Sequence, residues 1–170
     1  MKTKEKIKIP YFKQETEETC GAAVLRMVLS AFGHQFTEKE LAEKFITLCD
    51  GSERHEEFPS HSAKNSYFPM IAESLKLDYV VGRNSSLSNI QLLTDQGYIV
   101  IVCYFYEAEG TGHYAVVSSI NETTITLLDP HAGPETKYNL EYFSKFWFTD
   151  PKDDNEKSWF VAIKSSLPVE

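Results

Sequence analysis

QETEETCGAAVLRM, residues 14–27, places a cysteine at the start of an apolar helix, with glycine directly after it and a glutamine six residues ahead. From Cys20 to Phe32 the residues Ala23, Val24, Met27, Val28 and Ala31 recur at helical spacing, and Gly33 stands where a helix C-cap is wanted. The spacing predicts a buried helix whose N-terminus carries the thiol. A thiol is a poor nucleophile until ionised, and the partial positive charge of a helix N-terminus favours the thiolate. Gly21 lets the backbone approach a bound substrate closely, and the Cys20 amide together with the Gln14 side-chain NH2 forms a candidate oxyanion hole.

Upstream, IKIPYF (residues 7–12) reads as a short extended segment, because Pro10 pushes Ile9 away from helix. Downstream, Thr37 and Glu40 make a capping box before Leu41, Phe45 and Ile46, which predicts a second, short helix. Residues 49–66 are polar, broken by Gly51 and Pro59, and read as a long surface loop beside a binding cleft. Helices over about 67–77 and 88–96 then precede strands at 98–106, 113–120, 123–128 and 158–164. Helices come first and strands second, with the short turn Asn121-Glu122 between two of them. That order predicts an α+β fold, N-terminal helices packed on a C-terminal antiparallel sheet, in one domain spanning 1–170 with a core at about 7–164.

Two further stretches carry chemistry. In GTGHYAVVSSI (110–120) His113 follows two glycines and opens a strand, so its ring projects from the sheet end towards the Cys20 helix as a general base and acid. In TTITLLDPHAG (123–133) Asp129 ends the next strand, sixteen residues after His113. On a hairpin the two side chains become neighbours, and Asp129 holds the imidazole in one tautomer. Gly112 and Tyr114, flanking His113, join Gly21 as candidate substrate-binding residues.

Composition narrows the partners. The 170 residues are 42% hydrophobic, 13% aromatic and 25% charged, which suits a folded domain. A net charge of -8 argues against nucleic acid and anionic membranes, which are bound by clustered Lys and Arg. MKTKEKIKIP lacks the apolar run of a signal peptide, and the stretch from Tyr98 to Tyr106 is too short to cross a bilayer as a helix, so a cytoplasmic protein is expected unless an unrecognised signal exports it. Three cysteines without C-x-x-C spacing fit neither a disulfide framework nor a zinc ribbon. His55, His61 and His131 lack ligand spacing and read as surface residues, so neither metal nor cofactor is expected. Cys49 and Cys103 read as core residues. Glu15, Glu17 and Glu18 read as a solvated face. The aromatic run YFSKFWF (142–148) fits either a peptide groove or core.

Taken together, Gln14, Cys20-Gly21, His113 and Asp129-Pro130-x-x-Gly133 resemble the C39 peptidases, papain-like enzymes found in bacteriocin-exporting ABC transporters and as separate proteins. The resemblance runs from about Ile7 to Ile163 and includes NLEYFSKFW (139–147), similar to a short helix ending in tryptophan before the last strand. It implies a papain-like fold, Cys20 as nucleophile, His113 as base, Asp129 as orienter, Gln14 at the oxyanion, and a peptide or protein substrate cut after a small or Gly-Gly-type site. Thr19 departs from it, standing where transporter-linked members usually carry Asp, and no fused transporter is expected. The alternatives are an inactive C39-like peptide-binding module and a papain-like amidase, deamidase or acyltransferase.

Overall fold

The last strand in sequence lies inside the sheet and not at its edge. The structure, a computed structural model, describes residues 6–48, 63–152 and 156–166. Within them the helices are α1 (Cys20–Ala31), α2 (Glu38–Leu48), α3 (Tyr67–Ser74), α4 (Leu87–Asp95) and α5 (Leu140–Phe146). The strands are β1 (Asp78–Gly82), β2 (Ile99–Tyr106), β3 (Thr111–Ile120), β4 (Thr124–Asp129), β5 (Gly133–Asn139) and β6 (Phe160–Lys164). They form one sheet in the order β1-β6-β2-β3-β4-β5, with every pair antiparallel.

Local chemistry explains where these elements stop. Gly33, at φ +85°, ends α1: the His34 amide donates to Leu29 O at 3.0 Å and the Gly33 amide to Ser30 O at 3.1 Å. Before α2 the Glu40 amide donates to Thr37 Oγ1 at 3.1 Å while the Thr37 amide donates to Glu40 Oε2 at 2.7 Å, closing the expected capping box. The β3–β4 hairpin turns at Asn121, whose Oδ1 accepts the amides of Thr123 and Thr124, each at 2.9 Å.

The sheet is covered on both faces. On β2, Ile101 and Cys103 point to a cluster with Leu25, Met27, Phe68 and Trp159. Val100, Val102 and Tyr104 point to a second cluster with Ala115, Leu127, Phe143 and Trp147. Two buried faces account for the unbroken apolar run at Ile99–Val102. Each Leu, Ile or Phe withdrawn from water stabilises the fold by about 1.5–3 kcal/mol.

The α+β antiparallel architecture is as expected, but strict segregation is not: β1 lies between α3 and α4, and α5 between β5 and β6. β1 and β5 lie at the two edges of the sheet. IKIPYF forms no strand; Ile7, Ile9, Tyr11 and Phe12 pack instead on the α1 side of the sheet. Most of the loop expected at 49–66, with Cys49, His55 and His61, lies outside the described residues.

Candidate active site

Cys20 is the first residue of α1 and is half-buried. Its amide belongs to the helical first turn, whose N–H groups have no partner within the helix. Ahead of it, the segment 14–19 folds on itself: Thr19 Oγ1 accepts the Thr16 amide at 3.1 Å and donates to Thr16 O at 3.1 Å. Buried Glu38 holds this segment from α2, its Oε1 accepting the Glu15 amide at 2.8 Å.

His113 sits near the start of β3, directly opposite Tyr104 of β2. Its Nε2 lies 2.9 Å from Asp129 Oδ1 and the ring shares a cleft with Cys20, which leaves Nδ1 as the nitrogen towards the thiol. Burial works against a charged ring, but the bonds to Asp129 and Cys20 outweigh it and push the His113 pKa up to about 10. Asp129 ends β4 fully buried. Burial raises its pKa, yet the imidazole, the Tyr104 hydroxyl and the Ala132 amide together hold it below its usual 3.8. Oδ1 also accepts the amides of His131 and Ala132, each at 2.8 Å, while Oδ2 accepts the Tyr104 hydroxyl. The sequence thus predicts three residues that the fold brings together at one end of the sheet.

Gln14 stands beside them with its amide engaged: Nε2 donates to Thr16 O at 2.9 Å and Glu17 O at 3.3 Å, and Oε1 is buried without a partner. Its backbone amide donates to Pro130 O at 2.9 Å, and Tyr11 Oη donates to Asp129 O at 2.9 Å, so the strand of chain before Cys20 is pinned to the Asp129 turn.

A cleft of about 670 Å³ opens over Cys20 and His113, lined also by Ala63, Gly112, Tyr114 and Thr149. Gly112 and Tyr114 therefore reach it, whereas Gly21 is buried beneath: a Cβ there would lie 2.3 Å from Ala63 Cβ. The glycine after the nucleophile makes room for Ala63. At Gly112 a Cβ would lie 2.9 Å from Thr149 O. Glu17 and Glu18, expected as a solvated face, line the cleft rim. The wall is fixed by Asn65, whose Oδ1 accepts the Tyr114 hydroxyl at 2.6 Å and whose Nδ2 donates to Thr149 Oγ1 at 3.2 Å and Glu156 Oε2 at 2.5 Å.

Cys103 is buried as expected, on the wall of the same cleft, and desolvation pushes its thiol up to about 12. His131 is half-exposed. In the aromatic run Phe143 and Trp147 are buried, and Tyr142, Phe143 and Phe146 line a groove of about 220 Å³. Among the described residues no cluster of His, Cys, Asp or Glu suits a metal ion, and no helix is long and apolar enough to cross a membrane. Sequence reasoning missed Tyr104, Glu38, Asn65 and Tyr11. For Tyr104 a signal existed, since the hairpin register sets it opposite His113; for the others, long-range contacts left none.

The sequence profile of the Peptidase_C39 like family matches residues 6–153. No curated protein matches the chain in sequence. Among the solved structures that share its fold are the following three. A double glycine motif protease from an AMS/PCAT transporter, in complex with its leader peptide, has TM-score 0.65 and 17% identity over 96% of each chain. The peptidase domain of Streptococcus ComA, a bifunctional ABC transporter of a quorum-sensing pathway, has TM-score 0.66 and 15% identity over 94% of this chain and 100% of that one. A protein described as a C39-like peptidase from Bacillus anthracis has TM-score 0.69 and 15% identity over 94% and 96%.

Proposed function

The chain belongs to the C39-like peptidase family, and from that premise we propose that it is a cysteine peptidase acting through a Cys20 acyl-enzyme. The observation that carries this reading is the placement of His113 beside Cys20 in one cleft with its Nε2 on Asp129 Oδ1. At rest His113 already carries the thiol proton, in keeping with its raised pKa, and the Cys20 thiolate attacks the scissile carbonyl carbon. A C–S bond forms as the carbonyl π electrons move onto oxygen, where the Cys20 amide and one Gln14 N–H stabilise the charge. For that, Gln14 gives up one of its two carbonyl acceptors, and the longer bond, to Glu17 O, is the weaker. The C–N bond then breaks as His113 returns the proton to the leaving amine. Water, deprotonated by His113, cleaves the thioester and releases a carboxylate and free Cys20. Asp129 keeps the ring oriented throughout and stays ionised.

The leader-peptide complex among the similar structures suggests a peptide with a small or Gly-Gly pair before the scissile bond as first substrate. A cleft flanked by Ala63 and Gly112 is compatible with that. The competing reading, a binding module that never cuts, draws on the engaged Gln14 amide. Site-resolved alkylation by iodoacetamide at about pH 6, below the ordinary thiol range, separates the two. Cys20 should react far faster than Cys49 and Cys103 in wild type and lose that advantage in His113→Ala. Equal reactivity of all three would favour the binding module.

A further inference from the structure

Asp129 is anchored unevenly. Oδ1 takes three N–H donors, from His113, His131 and Ala132, while Oδ2 takes the hydroxyl of Tyr104. We propose that Tyr104 is a positioning residue of the Cys20–His113–Asp129 site, its hydroxyl fixing the Asp129 carboxylate so that Oδ1 remains on His113 Nε2. The assignment rests on the peptidase reading above.

Three observations support it. Tyr104 is 3% exposed and Asp129 0%, so Oδ2 has no bulk water to replace a lost donor. A buried acceptor stripped of its partner bears the full desolvation penalty, which a carboxylate relieves by rotating towards another donor. Tyr104 is also the cross-strand partner of His113, and the two rings meet edge-on at 5.6 Å and 88°. One hairpin register therefore sets the imidazole and the hydroxyl that steadies its carboxylate. Finally, burial and the Asp129 charge hold the phenol protonated well beyond its ordinary range, so it remains a donor. The other titratable groups around the pair are Cys20 from α1, Tyr106 from β2, His131 from the turn, Tyr138 from β5, and Tyr11. Tyr11 donates to the Asp129 backbone carbonyl and so leaves the carboxylate free to turn.

The test is the pH profile of Cys20 alkylation by iodoacetamide in wild type, Tyr104→Phe, Asp129→Ala and the double variant. Loss of one hydrogen bond to a charged group is expected to slow Tyr104→Phe about tenfold near pH 6 and to move the acid limb of its profile to higher pH. Asp129→Ala should move the same limb further, and Tyr104→Phe should add nothing to it, because the hydroxyl acts through the carboxylate. A packing role alone would lower Tm without moving the limb, so an unmoved limb overturns the assignment, as does an equal slowing in the Asp129→Ala background. If wild-type Cys20 shows no His113-dependent advantage, the peptidase reading itself fails, and this assignment with it. Should Tyr104→Phe not fold, the hydroxyl proton of Tyr104 in wild type decides by NMR: slow exchange with water is expected, and exchange as fast as that of exposed Tyr142 overturns it.

Discussion

At the residue scale, the ring of His113 and the carboxylate of Asp129 are linked to stability as well as to chemistry. His113 rises from an ordinary 6.5 to about 10 on folding, so its contribution is complete below about pH 6.5 and is lost as pH rises through about 10. Asp129 is lowered, so its share is present above about pH 4 and is lost as pH falls through the depressed value. The difference in unfolding free energy between wild type and His113→Ala should therefore be largest between about pH 4 and 6.5 and shrink towards pH 10. Urea denaturation across that range measures it, and a flat difference would mean that the buried ring is neutral. Cys20→Ala should abolish peptide cleavage with the cooperative melt retained; cleavage by that variant would end the proposal. Gln14→Ala should lower kcat about 10²–10³-fold if its amide reaches the oxyanion, as read in steady-state kinetics. These residues were legible because glycine and proline neighbours and helix or strand ends mark them in the sequence. Glu38 was not, because it looks like an ordinary helix-start acid until the fold brings its partner near, whereas Tyr104 was legible only through the hairpin register that sets it opposite His113.

At the element scale, α1 and β3 approach each other through glycine. The Gly21 Cβ position lies 2.3 Å from Ala63 Cβ and 3.5 Å from both Phe68 and Tyr114. Gly21→Ala should therefore destabilise by about 1–3 kcal/mol through overpacking, and Ala63→Gly in the same chain should restore part of that loss. Thermal melts of the two single variants and the double variant test the coupling; simple additivity would show that Ala63 is not what excludes the methyl group. The sequence motif pointed to Gly21 through the substrate, whereas the crowding that excludes a side chain there comes from Ala63, more than forty positions away. Helix caps at Thr37 and Gly33 were legible because capping is local. The edge strands β1 and β5 were not: β5, GPETKYN, offers no apolar alternation and opens with Gly-Pro.

For the whole molecule, the decisive feature is that the chain's last strand is internal to the sheet. β6 pairs with β1 on one side and β2 on the other, with Val161 opposite both Val81 and Ile101. Trp159, just before it, is the largest fully buried side chain and packs against the rings of Phe68 and Tyr114, tying α3 to the strand that carries His113. An apolar run at the chain end is readable as a strand, but its insertion between two distant strands is set by long-range pairing that no local pattern encodes. Removing residues 157–170 should leave β1 without a partner and expose one edge of β2, so the shortened chain should lose the cooperative thermal transition and not merely melt earlier. Trp159→Ala keeps the strand and should cost about 3–5 kcal/mol while the transition stays cooperative. Circular dichroism melts of both variants distinguish the two effects. A cooperative melt in the truncated chain would mean that β2–β5 and the helices hold the His113–Asp129 end of the sheet without β6.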